Sequence, residues 1–325
     1  MKPYKNPFGG AIDYLRISIT DRCNLRCVYC MPPEGVTPSP HESILTYEEI
    51  CTLVEIGVQH GIRKVRITGG EPLVRRDVIS LITSLNQISG LEEITLTTNG
   101  VCISEFAPDL KAAGISRINI SLDTLSREKF TRITRRDDLD SVLRGIDTVL
   151  QMGFEPVKIN VVAMKGLNDD EIADFGKLTI DRSLHVRFIE FMSLGGFARK
   201  HSSYFFPADM VQKRLERVGP LEPVNPIKGN GPARYFTYPN ALGTVGLISP
   251  LSHGFCEMCN RLRVTADGKL RPCLLSDVEL DVKRVLRMNG GKEAVSNLFQ
   301  QAMVQKTFKL EMNNSNHRFM RSIGG

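Results

Sequence analysis

Six of the eight cysteines fall into two tight groups. Cys23, Cys27 and Cys30 lie in TDRCNLRCVYCMP, and Cys256, Cys259 and Cys273 in CEMCNRLRVTADGKLRPC. Three thiolates on one short loop can hold three irons of a four-iron cubane, which leaves the fourth iron without a protein ligand. That open position suits chemistry at the metal better than electron storage. A structural zinc takes four ligands in a closed tetrahedron, and the 23–30 loop offers no fourth Cys or His. The first group therefore reads as a cluster site.

The second group leaves two readings open. Its spacing alone suits structural zinc, with His253 of HGFCEMC as a fourth ligand, and it suits a second cluster as well. Asp267–Gly268 predicts a two-residue hairpin turn that folds Cys259 and Cys273 back together. Arg261 and Arg263, two apart on the strand leading into that turn, should share a face and present two forks suited to phosphate and purine acceptors. Cys51 and Cys102 match no ligand pattern and read as small buried residues.

The elements that must position these groups alternate regularly. Short β-branched runs occur at 14–20, 64–68, 93–98, 117–122, 157–162 and 186–191, with helical patterns between them such as LTYEEICTLVEIGVQHG and RRDVISLITSLNQISG. Strand–helix repetition predicts a parallel sheet, either doubly wound or an incomplete TIM-like barrel. In both, functional residues belong at the carboxyl ends of the strands. The first cysteine loop follows the first strand, and the second strand ends in RITGGEP, where paired glycines permit close backbone approach. The Pro- and Gly-rich stretch 219–234 predicts a linker or long loop. It divides the chain into 1–218, the repeated unit, and 219–325, with short strands, the second cysteine group, a helix over 278–304 and a Gly324–Gly325 ending.

Composition excludes several classes. A 42% hydrophobic and 24% charged chain of 325 residues is that of a globular protein with a sizeable core. No apolar run approaches the ~18 residues of a membrane span, and no signal peptide is read at the start. A cytoplasmic location, where thiols stay reduced, is expected. The net charge of +6 suits an anionic partner, but without runs of like charge it does not predict nucleic-acid binding. A P-loop is absent, and GNGPAR lacks the last glycine of a dinucleotide-binding fingerprint.

CxxxCxxC with Tyr29 before the last Cys resembles the signature of radical S-adenosylmethionine (SAM) enzymes, and Gly69–Gly70–Glu71–Pro72 resembles that family's GGEP motif. The resemblance implies an incomplete (β/α)6 TIM-like barrel and SAM bound at the open iron of a 4Fe–4S cluster. It also implies that the cofactor provides a 5′-deoxyadenosyl radical. The C-terminal cysteines with interleaved arginines are similar to those of GTP 3′,8-cyclases. In that family a second 4Fe–4S cluster binds the substrate's guanine, and GTP becomes 3′,8-cyclo-7,8-dihydro-GTP in the first step of molybdenum cofactor biosynthesis.

That resemblance implies SAM contacts at Tyr29, Gly69, Gly70, Glu71, Ser121 and Met192. It implies GTP contacts at Arg16, Arg66, Thr97, Lys158, Arg261, Leu262 and Arg263, a catalytic Arg187, and a Gly324–Gly325 tail reaching the active site. It further implies a reductant such as flavodoxin or ferredoxin and transfer of the product to a cyclic pyranopterin monophosphate synthase. A homodimer is compatible with it; a membrane or nucleic-acid partner is not expected. The competing enzyme reading is a peptide-modifying radical SAM protein, although that type usually carries more C-terminal cysteines than the three found here.

Overall fold

The computed structural model describes residues 5, 10–193, 199–225, 231–254, 259–288 and 290–307. All six anticipated strands are present: β1 (Tyr14–Ser18), β2 (Lys64–Thr68), β3 (Glu93–Thr98), β4 (Arg117–Ser121), β5 (Val157–Ala163) and β6 (Leu184–Glu190). They pair in order and in parallel. Between them run α1 (Tyr47–Gln59), α2 (Val78–Asn86), α3 (Ile103–Ala112), α4 (Arg127–Thr134), α5 (Leu139–Gln151) and α6 (Ile172–Lys177). The start of α1 was legible in LTYEE: Thr46 and Glu49 form a reciprocal capping box, which satisfies two otherwise orphaned backbone donors.

Strands from beyond residue 219 extend the same sheet at both edges. These are β7 (Glu222–Val224), β8 (Arg234–Thr237), β9 (Thr244–Ile248), β10 (Arg261–Val264), β11 (Lys269–Arg271) and β12 (Leu280–Asp281). The order is β12-β11-β10-β1-β2-β3-β4-β5-β6-β9-β8-β7, with β10 parallel to β1 and β9 parallel to β6. The barrel stays incomplete, because among the described residues no ladder joins the two ends of this order.

Three local expectations need correction. The stretch 219–234 is not loop throughout, since β7 pairs antiparallel with β8; Pro223 is tolerated there because β7 is an edge strand. The hairpin after β10 has three loop residues rather than two. Thr265 and Lys269 close it, and Gly268, at φ 78°, takes the left-handed position that such loops require. The helix expected over 278–304 is two helices, α8 (Val282–Arg287) and α9 (Gly291–Thr307). Between them Gly290 donates back to the Val285 carbonyl at 3.1 Å and Gly291 has φ 70°, a glycine-based helix stop. The remaining helix, α7 (Ala208–Leu215), lies between β6 and β7.

Alternation along the strands separates two faces. Leu15, Ile17, Val65, Ile67, Leu96, Ile118, Ile120, Ile159, Val186 and Leu262 belong to the hydrophobic core. The intervening positions read Tyr14, Arg16, Arg66, Thr95, Thr97, Arg117, Asn119, Lys158, Asn160, His185, Arg187, Arg261 and Arg263. A period of two thus gives each strand one apolar and one polar, mostly cationic, face.

Candidate active site

The first cysteine loop leaves β1 and is held from several directions. Gly70 N–H donates to the Thr20 carbonyl at 2.7 Å and Glu71 N–H to the Arg22 carbonyl at 2.8 Å. A Cβ on Gly70 would stand 2.2 Å from the Arg22 oxygen, and one on Gly69 2.7 Å from the Thr20 oxygen. The paired glycines therefore let the cysteine loop lie against the end of β2. Arg135 Nη1 donates to the carbonyls of Arg26 (2.7 Å) and Met31 (3.0 Å). The backbone N–H groups of Arg26 and Val28 reach the Thr134 and Ile133 carbonyls, both at 2.9 Å.

Both carboxylate oxygens of Glu71 accept hydrogen bonds within the protein. Oε1 accepts from Leu73 N and Thr98 Oγ1 at 3.0 and 2.8 Å, and Oε2 from Asn99 N at 2.6 Å. Burial raises its pKa to about 7 against the pull of these three donors. Its carboxylate ties the end of β2 to the end of β3. Tyr29 donates its hydroxyl to Asp123 Oδ2 at 2.5 Å, while Asp123 Oδ1 accepts from Val162 N at 2.8 Å. Burial pushes the Cys23 thiol up to about 11 and the Cys27 thiol well above its usual range; Cys30, Asp123 and Cys23 add to the effect at Cys27. Among the described residues no three Cys, His, Asp or Glu side chains converge as a ready-made ligand set.

The cationic face is contiguous. Arg66 Nη1 reaches Thr97 Oγ1 at 3.3 Å, Arg66 Nε bonds the Tyr14 hydroxyl, and Arg187 Nη2 donates to Asn160 Oδ1 at 2.6 Å. With its amide oriented to satisfy its neighbours, Asn119 accepts from both Arg66 and Arg187, so one oxygen links β2, β4 and β6. Lys158 Nζ is 3.4 Å from the Tyr235 hydroxyl. Burial, reinforced by Arg187, Arg117 and Arg66, lowers Lys158 to about 6. Burial likewise brings Arg187 and Arg263 down to about 10. Burial alone would raise the phenol of Tyr14, but Arg66, Arg16 and Arg261 outweigh it and bring it to about 8. The carboxylate on the polar positions of these parallel strands, Glu93, pairs with Arg117. So dense a buried positive charge favours a polyanionic ligand.

The second cysteine group lies at the other end of this face. Arg261, the first residue of β10, is in register with Tyr14, the first of β1. Cys259 therefore precedes the strands, whereas Cys23 follows Ser18 at the far end of β1. Roughly 13 Å of strand, at ~3.3 Å per residue, separates the two levels. The expectation that all functional residues gather at the carboxyl ends is corrected here. Because β10 runs parallel to β1, the residues preceding it fall at the amino ends, and the hairpin returns Cys273 to that side. Cys259 and Cys273 both act on Arg263.

The Radical SAM superfamily profile matches residues 17–179, and Molybdenum Cofactor Synthesis C matches residues 184–312. The chain is 52% identical over 303 residues to the GTP 3′,8-cyclase of Petrotoga mobilis, covering 92% of each chain. It is 48% identical over 323 residues to that of Moorella thermoacetica, covering 99% of this chain and 100% of that one. The chain belongs to the GTP 3′,8-cyclase family. Its fold is shared with Streptococcus suis SuiB bound to S-adenosylmethionine, with a TM-score of 0.60 at 16% identity over 88% of this chain and 67% of SuiB. That likeness concerns fold alone, so the peptide-modifying alternative gains nothing beyond the barrel.

The cofactors of a radical SAM GTP 3′,8-cyclase are SAM and 4Fe–4S clusters, two in this family. The donor set fits the first: Cys23, Cys27 and Cys30 are three soft, half-buried thiols on one short loop, and iron bound there would hold them as thiolates against the burial that raises Cys23 and Cys27. At the second, Cys259 and Cys273 stand on adjoining strand ends, while Cys256 lies outside the described residues, as do Gly324 and Gly325. The Nε2 of His253 sits 2.8 Å from Asp209 Oδ1, which commits that nitrogen to a carboxylate.

Among the residues assigned by resemblance, Arg16, Arg66, Thr97, Lys158, Arg187, Arg261 and Arg263 share the cationic face. Leu262 sits on the alternate face with its side chain fully buried in the core. Ser121 ends β4, beside Asn160 of β5, and Met192 follows β6, half-buried. Sequence reasoning passed over Tyr14, Asn119, Asn160 and Tyr235, which orient the cations. The period-two polarity of β1 and β4 was the available signal.

Proposed function

We propose that this chain converts GTP to 3′,8-cyclo-7,8-dihydro-GTP, the entry reaction of molybdenum cofactor biosynthesis. The observation that carries this reading is the cationic face between the two cysteine groups, with Arg66 held at Thr97 and Arg187 at Asn160. When bound, the SAM-loaded N-terminal cluster supplies a 5′-deoxyadenosyl radical for hydrogen abstraction at C3′ of the substrate.

The protein's part is placement and proton supply. Arg16, Arg66, Lys158 and Thr97 hold the triphosphate end, where the crowded buried cationic groups disfavour one another's charge until an anion lies among them. Arg261 and Arg263, beside Cys259, hold the purine end. Arg187, 2.6 Å from Asn160 Oδ1 and lowered by burial to about 10, still carries its proton at neutral pH. Its assigned role, by likeness to the family, is to release one during the final reduction. Tyr29, Gly69, Gly70, Glu71, Ser121 and Met192 build the SAM side, and Glu71 also ties the end of β2 to the end of β3 through Thr98 and Asn99.

A net charge of +6 suits docking of an acidic electron carrier such as flavodoxin or ferredoxin, and the product passes to a cyclic pyranopterin monophosphate synthase. No helix among the described residues is long and apolar enough to cross a membrane, and the cysteine usage agrees with a cytoplasmic setting.

The test is iron and sulfide content of anaerobically prepared protein, alongside product formation from GTP, SAM and a chemical reductant. About eight irons per chain should fall to about four when Cys256, Cys259 and Cys273 become Ala, and cyclisation should stop. About four irons with one zinc in the parent would remove the second cluster and the purine-binding role built on it.

A further inference from the structure

Lys306 is a buried lysine, 7% exposed, in the last turn of α9. Its Nζ lies 3.3 Å from Cys259 Sγ and 3.0 Å from the carbonyl oxygen of Pro272, the residue before Cys273. Among the described residues it forms no ion pair with a carboxylate. A buried ammonium normally requires an opposite charge nearby. Here the surroundings are otherwise basic, with Arg261 and Arg263 on β10. The candidate anion is the thiolate of the cysteine group itself.

We propose that Lys306 is a positioning residue for the second cluster, one that orients Cys259, braces the Cys273 turn and sets the cluster's reduction potential through an N–H···S contact. The inference rests on the reading of Cys256, Cys259 and Cys273 as cluster ligands.

The physical reasons are two. Partners outside the ligand shell orient ligands and tune the metal, and hydrogen bonds to cluster sulfurs are a principal control of potential. A fixed positive charge also favours the reduced cluster, which carries one more negative charge, so it raises the potential. One ammonium donating to both a ligand sulfur and the backbone beside another ligand couples the two arms of the site. It reaches them from a helix that is neither strand nor loop of the hairpin.

The experiment is an anaerobic redox titration followed by electron paramagnetic resonance on the full-length reconstituted holoenzyme. It compares the parent, Lys306→Met and Lys306→Arg, with the first cluster at the far end of the strands as internal reference. In Lys306→Met one cluster should titrate at a lower potential, or lose its iron so that total iron falls by about half, while the other is unchanged. Lys306→Arg should retain the iron and return the potential towards the parent value. Unchanged potentials with full iron in Lys306→Met would overturn the proposal. So would equal iron loss in the Met and Arg variants, since packing by α9 rather than the charge would then be what matters. Failure of the underlying reading shows differently, as zinc in place of half the iron in the parent itself.

Discussion

Arg16 of β1 and Arg263 of β10 are direct partners in a parallel strand pairing, although they come from opposite ends of the sequence. The pairing makes charge costly at Arg16: burial and then Arg263 and Arg66 depress Arg16 well below the usual guanidinium range. The C-terminal segment is thus a strand of the active-site wall, and the wall is electrostatically incomplete without an anion.

This conflict between stability and binding is measurable in Arg263→Met. Losing a charge-assisted contact should weaken GTP binding by about 1.5–3 kcal/mol, roughly 10- to 150-fold in Kd. Thermal unfolding without nucleotide should occur at an equal or higher temperature, because a buried, repelled cation is gone. A lowered Tm with unchanged GTP affinity would mean that Arg263 is structural.

Lys158 should make GTP binding proton-linked. Its pKa is lowered to about 6 by burial and by Arg187, Arg117 and Arg66, so at pH 8 it is largely neutral before the ligand arrives. A triphosphate beside it favours the charged form and raises the pKa, so binding takes up a proton above pH 6. Calorimetry at pH 8 in buffers of different ionisation enthalpy should show uptake in the parent and a smaller uptake in Lys158→Met. Identical values in both chains would remove Lys158 from the binding face.

Gly70→Ala places a methyl 2.2 Å from the Arg22 carbonyl oxygen, a backbone contact that cannot rotate away. The cysteine loop must shift, so iron content should fall by about half and reductive SAM cleavage should cease. The second cluster, at the opposite end of the strands, should persist. Full SAM cleavage in this variant would show that the loop does not need the close approach.

Removal of Gly324 and Gly325 should abolish cyclisation while iron content and SAM cleavage stay at parent levels, as expected of a tail that acts at the substrate. Full cyclisation by the truncated chain would refute the role assigned to it by resemblance.

The first cysteine loop, the glycine pair and the six strand–helix repeats were all legible in the chain, because each is a local pattern. Spacing places ligands on one loop, and a period of two places side chains on one face. The apolar helices between the strands were equally local, as the Thr46–Glu49 cap shows.

What tertiary structure alone decided is where the C-terminal segment goes. Nothing local in RLRV says that it pairs with YLRI, in parallel and next to it, nor that Thr244–Ile248 takes the corresponding place beside β6. Long-range pairing is set by burial of both strands' apolar faces, which is a property of the assembled sheet. The same assembly put Cys259 and Cys23 at opposite ends of one cationic wall. It also brought Lys306, an unremarked helix residue in the sequence, to the sulfur of Cys259. By itself the sequence determined the chemistry the protein carries; the order and direction of the strands decided how that chemistry faces its substrate.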